Sequence, residues 1–176
     1  LQSGSDAILA RMRRRYTTAT FAERIASVRE AMPHSFIGID VITGFPGETE
    51  ADFDTTYDFL EGLEPSFLHV FPYSERPGTP AAEYPDKVLH SVSASRVKRL
   101  TDLSDNLHRN FAGKHIGTRA RVLFESTVRG NLMSGFTDNY IKVFAPYDRN
   151  VVNTICEVEL TALRDSGDMD GIVKIR

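Results

Sequence analysis

Cysteine occurs once in these 176 residues, at Cys156. One thiol excludes an internal disulfide and any zinc or iron–sulfur site assembled from several thiolates of this chain. No run approaches the roughly 18–20 consecutive apolar residues that a membrane span needs, and no charged-then-apolar pattern opens the chain, so a cytoplasmic setting without membrane contact is the expectation. Neither G-x-x-x-x-G-K-[ST] nor G-x-S-x-G occurs, which leaves ATPase and serine hydrolase readings without support. His34, His69, His90, His108 and His115 stand at no metal-ligand spacing from one another or from a carboxylate pair. No metal ligand and no catalytic residue is assigned. A net charge of −3 gives no bulk electrostatic case for nucleic acid.

What is present is a composition of 41% hydrophobic and 26% charged residues, that of a globular chain holding one ordinary domain or two small ones. The charge is uneven. Residues 40–64 carry eight carboxylates and no Lys or Arg, whereas Arg11, Arg13, Arg14 and Arg15 fall within five positions; a solvated helix face is the plain reading of both.

The chain opens on Leu1-Gln2-Ser3-Gly4-Ser5 with no element before it and reads as a cut end. Ser5 predicts a helix cap with a helix through Arg14, and Thr20-Phe21-Ala22-Glu23 predicts a capping box for a second helix carrying Phe21, Ile25, Val28 and Met32 on one face. Phe36 to Ile42 reads as a buried strand in which Asp40 is the odd member, since an unpaired buried carboxylate is expensive. The next segment, Gly44-Phe45-Pro46-Gly47-Glu48-Thr49, joins that strand to a third helix. Pro46-Gly47 suits the centre of a type II turn, which would leave backbone groups at Gly44 and Gly47 open to a ligand beside a fixed carboxylate. The third helix is capped by Thr49, lined by Phe53, Tyr57 and Leu60, and closed by Gly62 and Pro65.

Phe67 to Phe71 is a second strand, and helix–strand alternation in this rhythm predicts βα units and a parallel sheet. A proline-stiffened loop, Pro72 to Pro85, displays Tyr73, Ser74 and Arg76; Arg76 could clamp a carboxylate or phosphate through its fork. A long helix from Lys87 to Phe111 follows, ended by Gly113-Lys114. Beyond it the period becomes two: Ala120, Val122 and Phe124 alternate with Arg119, Arg121, Leu123 and Glu125, with similar runs at Tyr140–Phe144, Thr154–Leu163 and Gly171–Ile175. This predicts a small antiparallel barrel and a domain boundary between residues 112 and 113. Cys156 would be an inert inward thiol alternating with Val158 and Leu160.

Ligands of parallel α/β folds sit at the carboxyl ends of strands. If Gln2-Ser3-Gly4 also follows a strand, the strand-end loops present Gln2, Ser3, Gly44, Glu48, Tyr73, Ser74 and Arg76 to one face. In residues 113–176, nine Lys or Arg stand against eight Asp or Glu, a balance of +1. Lys114, Arg119, Arg121, Arg129, Tyr140 and Lys142 are the candidate RNA contacts, through phosphates and stacking; a solvated strand face remains the alternative.

Taken together, Leu1 to Ser5, Met12-Arg13-Arg14-Arg15-Tyr16-Thr17, Asp40-Val41-Ile42-Thr43-Gly44-Phe45-Pro46-Gly47-Glu48-Thr49-Glu50 and Phe71-Pro72-Tyr73-Ser74-Glu75-Arg76-Pro77-Gly78-Thr79-Pro80-Ala81 resemble the radical S-adenosylmethionine methylthiotransferases. The resemblance implies an α/β fold: part of a TIM-like parallel barrel over residues 1–112, then a TRAM-like RNA-binding β-barrel over 113–176. His69 to Ser74 looks most like the branch acting on threonylcarbamoyladenosine in tRNA, with the branches acting on isopentenyladenosine or on a ribosomal protein as the alternatives. The implied activity is methylthiolation at C2 of that base beside the anticodon, with S-adenosylmethionine and two 4Fe–4S clusters in the parent protein and the tRNA anticodon stem-loop as partner. By motif, Gln2, Ser3, Gly4, Gly44, Gly47 and Glu48 would lie on the cofactor side, Arg14, Tyr73, Ser74 and Arg76 on the substrate side, and Asp40 would face the barrel lumen.

The C-x-x-x-C-x-x-C triplet of that family is absent, so this chain by itself is expected to bind neither cluster and to be inactive. The expectation is therefore a C-terminal fragment of a tRNA methylthiotransferase. A non-catalytic RNA-binding module with an α/β support domain is the competing reading, and pairing of an open sheet edge with a second copy is a third possibility.

Overall fold

A computed structural model describes residues 1–174, which divide into two compact units, Leu1–Leu107 and a second from His108 onward. In the first unit, Ser5 accepts the Ile8 N–H and starts α1 (Asp6–Arg11), which buries Ile8 and Leu9. This helix stops short of the expected Arg14 because Arg13 turns left-handed at φ 57°. The N-cap of α2 (Thr18–Ala31) is Thr17, whose hydroxyl accepts the Thr20 N–H, so the box expected at Thr20 lies one turn too late. On α2, Ile25 is buried but Met32 is exposed.

Strand β1 (Gly38–Thr43) buries Ile39, Val41 and Thr43 and exposes Asp40 on the other face, which spares the carboxylate the cost of burial. Helix α3 (Glu50–Leu63) carries a full capping box between Thr49 and Asp52. Its left-handed C-cap is Glu64 at φ 48°, and Gly62 is simply helical; Arg29 of α2 donates to the Leu63 carbonyl at 2.7 Å. Strand β2 (Phe67–Pro72) pairs parallel with β1, from Gly38 opposite Phe67 to Thr43 opposite Pro72. A 3-10 turn at Pro80–Glu83 interrupts the loop that follows, and α4 (His90–Gly113) begins three residues after the expected Lys87.

Val41, Phe53, Leu60, Leu68, Leu100 and Leu103 form the core of this unit. Burying one such side chain contributes roughly 1.5–3 kcal/mol. At the sheet edges, the Ile42 N–H donates to the Gln2 carbonyl, and the Ser104 hydroxyl meets both the N–H and the carbonyl of Leu68. Part of the edge expected to seek a second copy is thus occupied from within.

The second unit is a closed barrel in the order β3-β4-β5-β7-β6, built of β3 (Arg119–Arg129), β4 (Leu132–Thr137), β5 (Lys142–Pro146), β6 (Ile155–Leu163) and β7 (Met169–Val173). Val122, Phe124, Met133, Ile141, Val143, Val158, Leu160 and Met169 are wholly buried within it. It is not purely antiparallel, because β5 pairs parallel with β7. Strand β4 was not legible in advance: Ser134 and Gly135 interrupt its alternation, and a side chain at Gly135 would collide with the backbone of Leu123 and Phe124. Tyr140 belongs to the turn before β5, at φ 62°, not to a strand. Ile175, expected to end the last strand, lies outside the described residues.

Candidate functional site

The Pro46-Gly47 turn forms as its residues dictate. Glu48 N–H donates to the Phe45 carbonyl at 2.9 Å and Gly47 adopts φ 86°. What the turn does with its polar groups differs from expectation. The Gly44 N–H donates to Glu48 Oε2 at 2.7 Å and the Gly47 N–H to the Asp86 carbonyl at 2.9 Å, so neither N–H is open to a ligand.

Glu48 itself is 5% exposed and ion-paired at 2.8 Å with Arg96 of α4, which is 4% exposed. Burial pushes the Glu48 carboxyl above the ordinary glutamate range, against the pull of the Gly44 N–H, Arg96 and Thr43. Arg96 extends to Glu50, and Arg99 bridges Glu50 and Asp54. The acidic run is therefore a set of cross-helix pairs and not only a solvated face. Asp52 is held by Ser5 at 2.8 Å as well as by Thr49. Burial alone would raise its pKa, but those hydrogen bonds win and hold it below the usual carboxylate range.

The Gln2–Gly4 segment is likewise turned inward. Ser3 is wholly buried with its hydroxyl 3.1 Å from that of Thr56, the Gly4 N–H donates to Thr56 Oγ1, and a Cβ at Gly4 would meet Thr56 Cα at 2.7 Å. Gln2 Oε1 accepts the Tyr16 hydroxyl at 2.6 Å.

The other four candidates of this unit come together. Arg14, Tyr73, Ser74 and Arg76 line one cavity of about 620 Å³, with Arg11, Arg13, Phe45 and Tyr84 among the remaining walls. Among the described residues no Asp or Glu lines it. Arg76 sits on a second Pro-Gly turn, in which Thr79 N–H donates to the Arg76 carbonyl and Gly78 takes φ 79°. Rings tie the walls together: Phe45 meets Tyr73 edge-on at 5.1 Å and Tyr84 at 6.2 Å, and the Arg11 guanidinium lies 5.3 Å from the Tyr84 ring centre. Arg11, Phe45 and Tyr84 were not singled out from sequence. The arginine cluster at 11–15 was the only signal for the first; nothing local announces the others.

On the barrel, Arg119 pairs with Glu157 at 3.0 Å, and Arg119 and Arg121 stand opposite Glu159 and Glu157 of β6. Lys142 lies 5.3 Å from the Phe144 ring centre, Tyr140 is 70% exposed, and Lys114 and Arg129 are exposed. At about 3.3 Å per residue, Arg119 and Arg129 are on the order of 30 Å apart along β3, so the six candidates make no single patch. A row not anticipated crosses four strands on the outer face: Ile155, Leu123, Phe136 and Lys142 are consecutive cross-strand partners, and the first three are exposed apolar side chains.

Among the described residues no group of three His, Cys, Asp or Glu could hold a metal ion, and no helix is long and apolar enough to cross a membrane. Cys156 is half-buried, its sulfur 3.3 Å from the Thr154 hydroxyl. One thiol cannot ligate a 4Fe–4S cluster, so the residues present do not fit that group.

Residues 1–60 match the family model of the radical SAM superfamily. Over 164 residues, 91% of this chain, the sequence is 42% identical to the threonylcarbamoyladenosine tRNA methylthiotransferase MtaB of Bacillus subtilis, of which 36% is covered. It is 43% identical over 123 residues to a tRNA-2-methylthio-N(6)-dimethylallyladenosine synthase of an Arthrobacter species, with 70% of this chain and 24% of that protein covered. The corresponding synthase of Corynebacterium urealyticum is 39% identical over 170 residues, with 93% and 32% covered. The chain spans about a third of the length of these curated relatives. With a mixed α/β unit carrying a parallel strand pair, a closed five-stranded barrel after it, and these matches running through both, the chain belongs to the radical SAM methylthiotransferase family.

Proposed function

We propose that this chain is the C-terminal part of a tRNA methylthiotransferase whose substrate is N6-threonylcarbamoyladenosine beside the anticodon, and that alone it is inactive. The observation that carries the choice of substrate is the cavity walled by Arg11, Arg13, Arg14 and Arg76 with no carboxylate among its described lining residues. Threonylcarbamoyladenosine ends in a free carboxylate, whereas dimethylallyladenosine ends in a hydrocarbon. A cluster of guanidinium groups along one cavity favours the first and gains nothing from the second.

In the radical SAM family, S-adenosylmethionine with its cluster supplies the radical that activates the substrate carbon. In this chain the inward-bonded Gln2, Ser3, Gly4, Gly44, Gly47 and Glu48 act as the rigid backing of the cofactor's side of the site. Their backbone and side-chain hydrogen bonds hold the strand ends in place. Arg14, Tyr73, Ser74 and Arg76 orient the base. The barrel contacts the RNA through its outer face, where Phe136 offers a stacking ring beside Lys142, while Arg119, Arg121, Arg129, Tyr140 and, ahead of β3, Lys114 reach phosphates or bases at separate points. The exposed apolar row supports this more than net charge does.

The test is binding of synthetic anticodon stem-loops to the 176-residue chain at two salt concentrations. A loop carrying threonylcarbamoyladenosine should bind more tightly than the same loop carrying dimethylallyladenosine, and both should weaken with salt. Equal binding of the two loops overturns the substrate; binding indifferent to salt overturns the RNA contact. Anaerobic reconstitution that yields a stoichiometric cluster overturns the inactivity.

A further inference from the structure

Arg11 differs from the other arginines of the cavity. Arg13, Arg14 and Arg76 are exposed, whereas Arg11 is half-buried and fixed on two sides. One side is the Tyr84 ring. The other is Gly47, where an added Cβ would stand 2.6 Å from the guanidinium carbon and 2.8 Å from Nε. A side chain at position 47 would have to displace the guanidinium, and the φ of 86° is what requires glycine there.

Arg11 Nε is buried and has no hydrogen-bond partner, and the hydroxyl of Tyr73, on the same cavity, is in the same condition. Buried donors are almost always satisfied, and the exceptions call for a partner that arrives from elsewhere. A half-buried guanidinium held over a ring loses less freedom on binding, and interacts more strongly away from bulk water, than an exposed one.

We propose that Arg11 is the specificity-determining residue of this cavity: it receives the carboxylate of the modified nucleoside, with the Tyr73 hydroxyl as a further donor. This rests on the substrate reading above and names the side chain that enforces it. The exposed arginines then serve to draw the anion in, and Gly47 and Tyr84 serve to hold Arg11 in place.

The experiment compares N6-threonylcarbamoyladenosine with its methyl ester, and separately S-adenosylmethionine, as ligands of the 176-residue chain by calorimetry and by the side-chain N–H resonances of arginine. The free acid should bind about tenfold or more tightly than the ester, the worth of one charge-assisted hydrogen-bonded contact. R11Q should abolish that ratio while leaving the ester's affinity unchanged, and the Arg11 Nε–H resonance of the unaltered chain should move with the acid and not with the ester.

If R11Q keeps the ratio and R76Q loses it, the inference fails while the substrate reading stands. If the unaltered chain does not distinguish acid from ester, the substrate reading fails and the inference with it. If S-adenosylmethionine, and not the nucleoside, moves the Arg11 resonance, the carboxylate received is the cofactor's and the inference is overturned as to its source. The resonance shift needs no variant, so a variant that folds poorly leaves the question decidable.

Discussion

The α/β unit and the barrel treat the same kinds of residue in opposite ways. In the first, charges are drawn inward: Glu48 and Arg96 are buried together, Asp52 is wrapped by Ser5 and Thr49, and Arg11 lies between Tyr84 and Gly47. In the second, every large buried side chain among the described residues is apolar, and charges stand outside as cross-strand pairs such as Arg119–Glu157 and Lys174–Glu159. A sheet that closes on itself pairs its edges and fills its interior with alternate side chains, so only its outer face is left for a partner. Two parallel strands covered by helices leave loops at their carboxyl ends, and a cavity between those loops can be lined with arginine. Closure thus separates a packing surface from a recognition surface, whereas the open unit must build both from the same turns.

The comparison predicts different failures. Phe124→Ala in the barrel and Phe53→Ala in the α/β unit, both wholly buried, should each cost about 3–5 kcal/mol, read as loss of amide protection in hydrogen exchange. Protection lost uniformly across β3 to β7 in the first case would confirm that the closed sheet fails as one body; loss confined to β3 would break the contrast.

Arg96→Met comes next, since it leaves Glu48 buried without its cation, a loss of roughly 3–5 kcal/mol at neutral pH. Its pH dependence sharpens the point. Glu48 already holds its proton more tightly folded than unfolded, so its contribution to stability falls as pH rises from the ordinary glutamate range through the raised folded value. Removing Arg96 raises that value further, so the cost of the variant should shrink on acidification. Thermal melts showing a pH-independent cost would mean that the pair does not govern the turn.

Asp52→Asn should have the smallest effect, of the order of the ~1 kcal/mol of a helix cap, and the opposite sign in pH. The lowered Asp52 value means that stabilisation is present above the ordinary aspartate range and lost as pH falls through it toward the folded value. Melts between pH 2 and 6 should therefore show a flatter acid limb in the variant, and an unchanged limb would remove Asp52 from the acid response.

Much of this was readable in the chain. The Thr49–Asp52 box, the Pro46-Gly47 turn and the alternation of Val122 and Phe124 follow from local conformational preference and side-chain period, which act between near neighbours. Local signals also misled: Thr20 reads as a cap as well as Thr17 does, and Gly62 reads as a helix stop although Glu64 takes the left-handed position. For the cavity, Tyr73, Ser74, Arg76 and Arg14 were legible as polar residues on stiff loops, but Arg11 was not, because what distinguishes it is contact with Gly47 and Tyr84, 36 and 73 positions away.

By itself, then, the sequence determined most of the elements, the turn at Gly44 to Glu48 and the want of thiolates for a cluster, since each depends on residue type and short-range spacing. Tertiary structure alone decided that Glu48 is buried against Arg96, and that Arg11 faces a cavity without a carboxylate among the described residues lining it. The reason is physical: where a charged group is directed depends on what solvates it, and in this unit the solvating groups come from elements distant along the chain.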